Sequence, residues 1–189
     1  MRNIDMLDEK EIVHKILDGD IELFEEIVNE YKRPLFIFLY RFCFNDSLCE
    51  EIIQQTFIKA FRFLDKVDCE KGLKNWLYQI ARNTFYDTIK KEKRNNDVAM
   101  EDVEFFLASS DISPECEVIN KGQINVVIKV LYELPDKYRE IMILRHLEEK
   151  TYEEISEILD IPVNTVKIRI FRAREKMRIR LEEGNDFEL

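Results

Sequence analysis

The stretch from Val163 to Arg180 concentrates side chains that can bind nucleic acid, with seven basic residues and one acidic residue. Its apolar stripe has helical spacing and consists of Val166, Ile170, Ala173 and Met177. Polar and basic groups near a helix N-terminus suit the major groove, because the dipole meets phosphate while side chains reach base edges. The remaining faces carry Asn164, Thr165, Lys167, Ile168, Arg169, Phe171, Arg172 and Arg174. The alternatives are a basic helix of an ordinary bundle or of a protein interface.

A second basic stretch, Lys74 to Arg94, holds six basic and two acidic residues. Aromatic rings stack on bases, amides bond base edges and cations hold phosphates, so its polar face suits an unstacked strand. That face comprises Gln79, Arg82, Asn83, Tyr86, Asp87 and Lys90. Taken alone, the stretch is more simply explained as a solvated helix face. Trp76 lies on the opposite, apolar stripe and is expected in the core.

The elements around the first basic stretch predict a helix-turn-helix. Thr151 and Glu154 have the spacing of a capping box that opens a short helix, Tyr152 to Leu159. Asp160-Ile161-Pro162 makes a tight turn, and the second helix runs from Val163 to about Leu181. Ile168 either faces DNA or packs against the preceding helix at Ile155 or Leu159.

Helical periodicity predicts four helices before residue 96. The first opens at Asp8 and ends at Gly19; the second spans Phe24 to Phe42 with a kink at Pro34. A capping box at Ser47 and Glu50 opens the third. Its apolar stripe is Leu48, Ile52, Thr56, Phe57, Ala60, Phe61 and Leu64. The fourth, from Leu73 to Arg94, has the stripe Leu73, Trp76, Leu77, Ile80, Ala81, Thr84 and Ile89.

A polar, acidic connector divides the chain. Residues 95 to 123 contain seven acidic residues and one lysine, which predicts a flexible linker with one short helix at Val103 to Leu107. We expect domains at residues 1–95 and 122–189, with the linker at 96–121. Pro135 starts a helix ending at His146 in the second domain. The helix before it has the stripe Val126, Val127, Val130, Leu131 and Leu134.

Composition narrows the fold and function classes. Four glycines and four prolines in 189 residues are too few for the turns of an all-β protein, so we expect an all-α fold. No apolar run approaches the length of a membrane span, so no stable membrane insertion is expected. The chain lacks a Gly-rich phosphate loop, metal-ligand spacing and a nucleophile–His signature, which argues against an enzyme, a metal or a cofactor. The cysteines, at 43, 49, 69 and 116, form no CxxC pair and predict reduced thiols in a cytoplasmic protein.

The two basic modules together resemble bacterial sigma factors of the extracytoplasmic-function class of the sigma-70 family. Five blocks, in family order, carry the resemblance across roughly residues 20 to 181. They are Asn45 to Phe57, Lys74 to Thr84, Leu134 to Glu140, Thr151 to Ile155, and Thr165 to Lys176.

The resemblance implies a mechanism and its partners. The first module would bind the clamp helices of core RNA polymerase and capture the minus-ten element as single strand. The second would bind the polymerase flap and read the minus-thirty-five element as duplex. The residues assigned to that reading are Asn164, Thr165, Lys167, Ile168, Arg169, Phe171 and Arg172. The implied minus-ten contacts are Trp76, Arg82, Asn83, Tyr86, Asp87 and Lys90. The implied polymerase contacts are Asp46, Glu50, Glu51, Gln54, Gln55 and Phe57. An anti-sigma factor is a further candidate partner.

Three positions depart from the family pattern. Asp160 replaces the usual turn glycine, but Asp tolerates the left-handed conformation, so the turn is expected to form. Asn164 replaces a common glycine and Ile168 a common small polar residue, so the promoter sequence cannot be inherited from the family. A helix-turn-helix regulator that binds DNA without polymerase is the alternative function. The net charge of −10 disfavours tight DNA binding by the chain alone.

Overall fold

The computed structural model describes residues 8–95 and 123–185, and every regular element in those ranges is helical. The chain divides into two compact units, residues 1–99 and 100–189. The predicted all-α fold with two helical modules is confirmed. The short helix expected at Val103 to Leu107 lies outside the described residues.

Within residues 8–95, the first unit contains four α-helices. They are α1 (Glu9–Leu17), α2 (Ile21–Cys43), α3 (Asp46–Arg62) and α4 (Leu73–Asn95), with a 3₁₀ turn at Leu64–Lys66. Helices α2, α3 and α4 pack against one another. Phe38 is fully buried between the rings of Phe42 and Tyr78, each 4.9 Å away between centroids. The core therefore buries one apolar face from each long helix, as amphipathic periodicity requires.

Helix α3 begins differently from the prediction. Asn45 is its N-cap, and the Asn45 side chain accepts a hydrogen bond from the Leu48 N–H at 3.0 Å. The predicted capping box at Ser47 and Glu50 is therefore wrong: Ser47 lies inside the first turn. Asn is at least as good an N-cap as Ser, and the left-handed Phe44 before it (φ 48°) delivers the chain in the required direction.

Several side chains in the first unit have a different burial from that expected of their stripes. Phe61 is 47% exposed, and Trp76, Ile80 and Ile89 are half-buried. Tyr78, which the predicted α4 stripe omitted, is 2% exposed. Helix α2 is continuous through Pro34, and the kink expected there stays a prediction.

Within residues 123–185, the second unit contains four α-helices. They are α5 (Gln123–Tyr132), α6 (Asp136–Met142), α7 (Tyr152–Leu159) and α8 (Val163–Asn185). Helix α8 packs against α5, α6 and α7. The helix predicted to run to His146 stops earlier, because a π-helical turn over Ile143–Leu147 replaces its last part. Of the predicted α5 stripe, Val126 and Val127 are exposed, while Val130, Leu131 and Leu134 are buried.

Candidate nucleic-acid interfaces

The start of α7 is a complete capping box. The Thr151 hydroxyl accepts the Glu154 N–H at 3.1 Å, and the Glu154 carboxylate accepts the Thr151 N–H at 2.8 Å. Although burial raises it, the pKa of Glu154 is lowered overall by the Thr151 N–H and the Lys150 charge. The predicted box and the predicted helix Tyr152 to Leu159 are both confirmed.

The turn between α7 and α8 also forms as expected. Asp160 adopts the left-handed conformation at φ 51° and ψ 51°. The Ser156 hydroxyl donates to the Ile161 carbonyl at 2.6 Å, and the Pro162 carbonyl accepts the Thr165 N–H at 2.8 Å. These bonds satisfy polar groups that the two helix ends would otherwise leave open. The turn therefore orients α8 without a glycine.

One face of α8 is anchored in the core. Val166, Ile170 and Ala173 are buried, as predicted, and Met177 is half-buried. Helix α7 packs against α8 and contributes the buried Ile155, Ile158 and Leu159. The hydrophobic contacts hold α8 at a defined orientation and leave its other faces available.

The outer face of α8 exposes both apolar and basic side chains. Ile168 is 51% exposed and Phe171 is 71% exposed, so Ile168 is not sequestered against Ile155 or Leu159. The other exposed candidates are Asn164, Lys167 and Arg172; Thr165 and Arg169 are half-buried. The ion pairs described on α8 lie further along, at Arg178 and Arg180. The N-terminal half of α8 is thus a basic surface with an apolar centre.

The corresponding face of α4 is more extensively tied to the protein. The Arg82 guanidinium donates to the Asn83 side-chain oxygen at 3.0 Å and lies 5.1 Å from the centre of the Tyr86 ring. Asn83 is exposed, whereas Gln79, Arg82 and Tyr86 are half-buried. The structure therefore brings a cation, an amide and an aromatic ring together on adjacent turns.

Asp87, Lys90 and Trp76 have different surroundings. The Asp87 carboxylate lies 3.5 Å from Lys59 Nζ of α3, and that ammonium donates to the Thr84 hydroxyl at 3.0 Å. Lys90 is exposed and Trp76 is half-buried. Asp87 thus faces the α3–α4 contact, where its carboxylate neutralises Lys59.

The N-terminus of α4 depends on a contact that the sequence did not predict. The Leu73 N–H donates to the Glu9 carboxylate at 2.7 Å, and Lys10 forms an ion pair with Glu70. A carboxylate at a helix N-terminus stabilises the open N–H groups and the dipole. The two partners are 64 positions apart, so no local sequence pattern indicates the bond.

The exposed side of α3 carries most of the candidate polymerase contacts. Asp46, Glu50, Glu51 and Gln54 are exposed, and half-buried Gln55 donates to Glu51 at 2.8 Å. Phe57 is 7% exposed and packs edge-on against Phe24, so its ring belongs to the core.

An apolar cleft that the sequence analysis missed extends this acidic side. Ile58 is 60% exposed one turn after Gln54, and Phe61 follows at 47%. Together with Phe24, Phe57 and Arg62 they line an open cleft of about 380 Å³. The exposure of Ile58 and Phe61 was not predicted, because the predicted apolar stripe of α3 assigned Phe61 to the core.

Within the described residues, no cluster of three or more His, Cys, Asp or Glu side chains could hold a metal ion. The helices in those same ranges include none long and apolar enough to span a bilayer.

Two family models match the chain. Residues 27–95 match the model described as Sigma-70 region 2, and residues 124–177 match the model described as Sigma-70, region 4. The first match ends at the last residue of α4, and the second contains α7, the turn and α8 as far as Met177.

Curated relatives match over nearly their whole lengths. The chain is 34% identical over 181 residues to a protein of Bacillus subtilis named ECF RNA polymerase sigma factor SigW, covering 92% of this chain and 97% of that protein. It is 30% identical over 185 residues to the ECF RNA polymerase sigma-E factor of Haemophilus influenzae, covering 94% and 97%. A solved structure of the Bartonella quintana sigma factor RpoE with the anti-sigma factor NepR matches at a TM-score of 0.65. Its identity is 26%, over 84% of this chain and 96% of that one.

Proposed function

The chain belongs to the extracytoplasmic-function class of the sigma-70 family, and from that premise we propose that its helices α3, α4 and α8 divide promoter recognition among them. As a member of that family it binds core RNA polymerase and directs promoter-specific transcription initiation. Its partners are core polymerase and promoter DNA. The proposal concerns which residues carry each contact.

Helix α8 reads the minus-thirty-five element as duplex. The observation that supports this role is its exposed N-terminal half, where Lys167 and Arg172 flank Ile168. Cations hold phosphates or guanine edges, and an apolar side chain contacts a thymine methyl. The full proposed set is Asn164, Thr165, Lys167, Ile168, Arg169, Phe171 and Arg172.

Helix α4 captures the minus-ten element once the strands have separated. The cluster of Arg82, Asn83 and Tyr86 supports this role, because the Arg82 guanidinium bonds the Asn83 amide at 3.0 Å and lies 5.1 Å from the centre of the Tyr86 ring. A phosphate ligand, a base-edge reader and a stacking surface are thereby held together on one face. Lys90 adds a phosphate contact on the same face, and Trp76 supports the strand from the half-buried side. Asp87 acts indirectly, by neutralising Lys59 beside the cluster.

Helix α3 binds the polymerase through its exposed acidic side. Glu50, Glu51 and Gln54 make polar contacts there, with Asp46 and Gln55 at the margins. Phe57 contributes by shaping the cleft beside them rather than by direct contact. The resulting domains are residues 1–95 and 122–189, separated by the linker at 96–121. The protein acts in the cytoplasm, as a regulator without an enzymatic reaction of its own, and an anti-sigma factor is a candidate partner.

The test compares Asn83→Ala with wild type on two templates, a closed promoter duplex and one already melted across the minus-ten element. We expect Asn83→Ala to retain polymerase binding and to initiate poorly on both templates, because an amide that reads an extruded base acts only on the open strand. Asn29→Ala, which removes an exposed amide from α2 of the same unit, should behave as wild type. Normal initiation by Asn83→Ala on both templates would refute strand capture by this residue.

A polymerase-dependence assay separates the sigma-factor assignment from its alternative. The chain alone should bind promoter duplex poorly, and the chain with core enzyme should initiate transcription. Sequence-specific binding at nanomolar concentration by the isolated chain would instead indicate a regulator that works without polymerase.

A further inference from the structure

Two cysteines meet at the corner between α2 and α3. Cys43 is the last residue of α2 and Cys49 lies in the first turns of α3, and their sulfur atoms are 3.3 Å apart. Both thiols are buried, at 2% and 0% exposure. Left-handed Phe44 and the N-cap Asn45 reverse the chain between them. Cys43 and Cys49 are six positions apart in the sequence. The corner between the two helices therefore brings them together without a CxxC motif.

The two sulfurs are chemically unequal. The Cys49 S–H can donate to a Cys43 thiolate, and this bond lowers the pKa of Cys43 from its ordinary value. The same bond, together with burial, raises the pKa of Cys49. One proton shared between two sulfurs leaves Cys43 as the better nucleophile, because the thiolate is the reactive form.

We propose that Cys43 and Cys49 are a redox modification site, which a peroxide-class oxidant converts to an intramolecular disulfide and a thiol reductant restores. The Cys43 thiolate attacks one peroxide oxygen, the O–O bond breaks, and hydroxide leaves and takes up a proton as water. The Cys49 sulfur then attacks the Cys43 sulfenic acid, the S–S bond forms and a second water leaves. Two electrons pass from the sulfurs to the peroxide. A dithiol reverses the reaction by exchange.

The position of the pair at two helix ends makes the reaction feasible despite burial. Helix termini open locally at much lower cost than packed interiors. The Cys43 thiol has only weak contacts with main-chain oxygens, at 3.5 Å from Leu39 and 3.9 Å from Asn45. Peroxide is small enough to enter a briefly opened corner. Both sulfurs already touch, so no large rearrangement must follow.

Bond formation has a consequence for α3. A disulfide is about 2.05 Å long, so the sulfurs must approach from their present 3.3 Å separation. The interiors of both helices are closely packed, with Leu39 and Ile52 at 0% exposure. The adjustment therefore falls on the corner and the first two turns of α3, which carry Asp46 and Glu50. Resting on the proposed polymerase-binding role of these residues, we expect oxidation to weaken binding to core polymerase.

The chemical test uses a full-length variant with Cys69→Ser and Cys116→Ser, in which the pair is the sole source of thiols. Exposure to hydrogen peroxide should consume both thiols, and peptide mapping should find the bond between Cys43 and Cys49, reversible by dithiothreitol. Adding Cys43→Ser should leave Cys49 reduced after peroxide treatment, so that Cys49 is alkylated once the chain is denatured. If that variant unfolds, peroxide titration followed by mapping of the folded two-cysteine chain decides alone. Two thiols that still alkylate, or a sulfinic acid without the bond, would overturn the site.

The functional test measures affinity for core polymerase before and after oxidation of the same two-cysteine chain. Oxidation should weaken binding about fivefold, the effect of losing one hydrogen bond at the interface, and reduction should restore it. Failure of the reduced chain to bind polymerase would count against the proposed function of α3. Normal binding by both forms would overturn the coupling of the redox site to α3.

Discussion

Helices α4 and α8 are both basic, but they present their polar groups in different ways. On α8 the candidate DNA contacts extend outward, with Phe171 71% exposed and Lys167 and Arg172 also exposed. On α4, Arg82 already bonds Asn83 and stacks on Tyr86. A duplex offers its groove edges ready-made, so an exposed surface can dock on it. A strand that separates from the duplex becomes flexible, so binding it costs conformational entropy. A preorganised protein cluster adds little to that entropy cost.

The two helices also differ in how their N-termini are held. The start of α8 is positioned by α7 and a turn whose hydrogen bonds span a few residues. The start of α4 is capped by Glu9, 64 positions away. The start of α8, proposed to read duplex, is therefore positioned by local contacts, while the start of α4, proposed to capture the single strand, depends on a contact that forms only with the whole unit.

The largest expected effect comes from breaking the core that positions α4. Phe38→Ala should cost about 3–5 kcal/mol, because it empties a fully buried site between Phe42 and Tyr78. Chemical denaturation, monitored by amide hydrogen exchange, should show early unfolding that is confined to the first unit. Ile37→Ala, at the neighbouring 42% exposed position, is the matched control and should change stability little. Equal losses from both substitutions would contradict the described packing.

The next effect concerns the exposed surface of α8. Arg172→Ala should weaken promoter binding by the polymerase complex by about 1–3 kcal/mol, the range for a cation that contacts a base edge. Arg178→Ala removes the same charge from the same helix, but Arg178 is already paired with Glu175 and Glu182 and should have a smaller effect. Binding titrations at two salt concentrations measure both. A larger loss from Arg178→Ala would place the DNA contact further along α8.

Thr151→Ala tests the local encoding of the helix-turn-helix. Loss of the capping box should destabilise the second unit by about 1–2 kcal/mol and leave the first unit unchanged. Ser156→Ala removes a hydroxyl from the middle of α7 instead of its start. Comparing the two variants shows whether the loss of stability depends on where the hydroxyl lies in the helix-turn-helix. The stability of each unit is measured by thermal unfolding, monitored through residue-resolved amide hydrogen exchange. No change in the second unit would show that packing alone holds α7.

The capping box also makes the second unit sensitive to acid. Because the folded pKa of Glu154 lies below its ordinary value of 4.5, ionised Glu154 stabilises the folded unit above pH 4.5. That stabilisation is lost as the pH falls through the lower folded value. Glu154→Gln should therefore flatten the decline of stability below pH 4.5, and an unchanged decline would assign it to other carboxylates.

Glu9→Ala tests the long-range cap of α4. It should destabilise the first unit by about 1 kcal/mol, because the Leu73 N–H loses its carboxylate partner. Glu11→Ala removes an exposed acid from the same turn of α1 and is the matched control. The two variants are compared by the denaturant concentration at the midpoint of unfolding, provided that the slope of the unfolding free energy against denaturant is the same for both. Equal midpoints for the two variants would show that water replaces Glu9 without cost.

These features also mark how far the sequence could predict the structure. The capping box at Thr151 and the turn at Asp160 are encoded by residues within one turn of each other, and both predictions were confirmed. The predicted N-cap of α3 was wrong because Asn45 and Ser47 are both suitable N-cap residues. Only the path of the preceding chain selects between them. The exposure of Val126 could not be predicted, because periodicity identifies an apolar face but not the length over which a partner covers it.

The site residues divide in the same way. The exposure of Phe171 agrees with its place opposite the buried α8 stripe, whereas the sequence left open whether Ile168 faces DNA or packs against α7, and only the structure shows it exposed. The Glu9 cap and the contact between Cys43 and Cys49 join different helices, so their geometry depends on tertiary packing. The helix face on which a residue lies can therefore be predicted from spacing, whereas contacts between helices require the fold.

The smallest expected effect is the sharpest test of how α8 recognises sequence. Ile168 is 51% exposed between Asn164 and Arg172, one turn away on either side. A branched apolar side chain in the major groove cannot bond a base edge, and its favourable contact there is a thymine methyl. We therefore expect one thymine of the minus-thirty-five element opposite Ile168, flanked by purines that Lys167 or Arg172 contacts. Phe171, on the next turn, extends the apolar contact.

Uracil isolates that contact, because it differs from thymine only by the methyl group. Replacing each thymine of the element in turn should weaken wild-type binding at one position by about 0.8 kcal/mol, the value of one buried methyl-sized group. Ile168→Ser should lose the preference at that position and keep the response at all others. Phe171→Ser is the matched control, since it removes a neighbouring exposed apolar side chain and should leave the Ile168 position sensitive. If uracil affects wild type and Ile168→Ser equally at every position, or affects neither, Ile168 does not read the methyl.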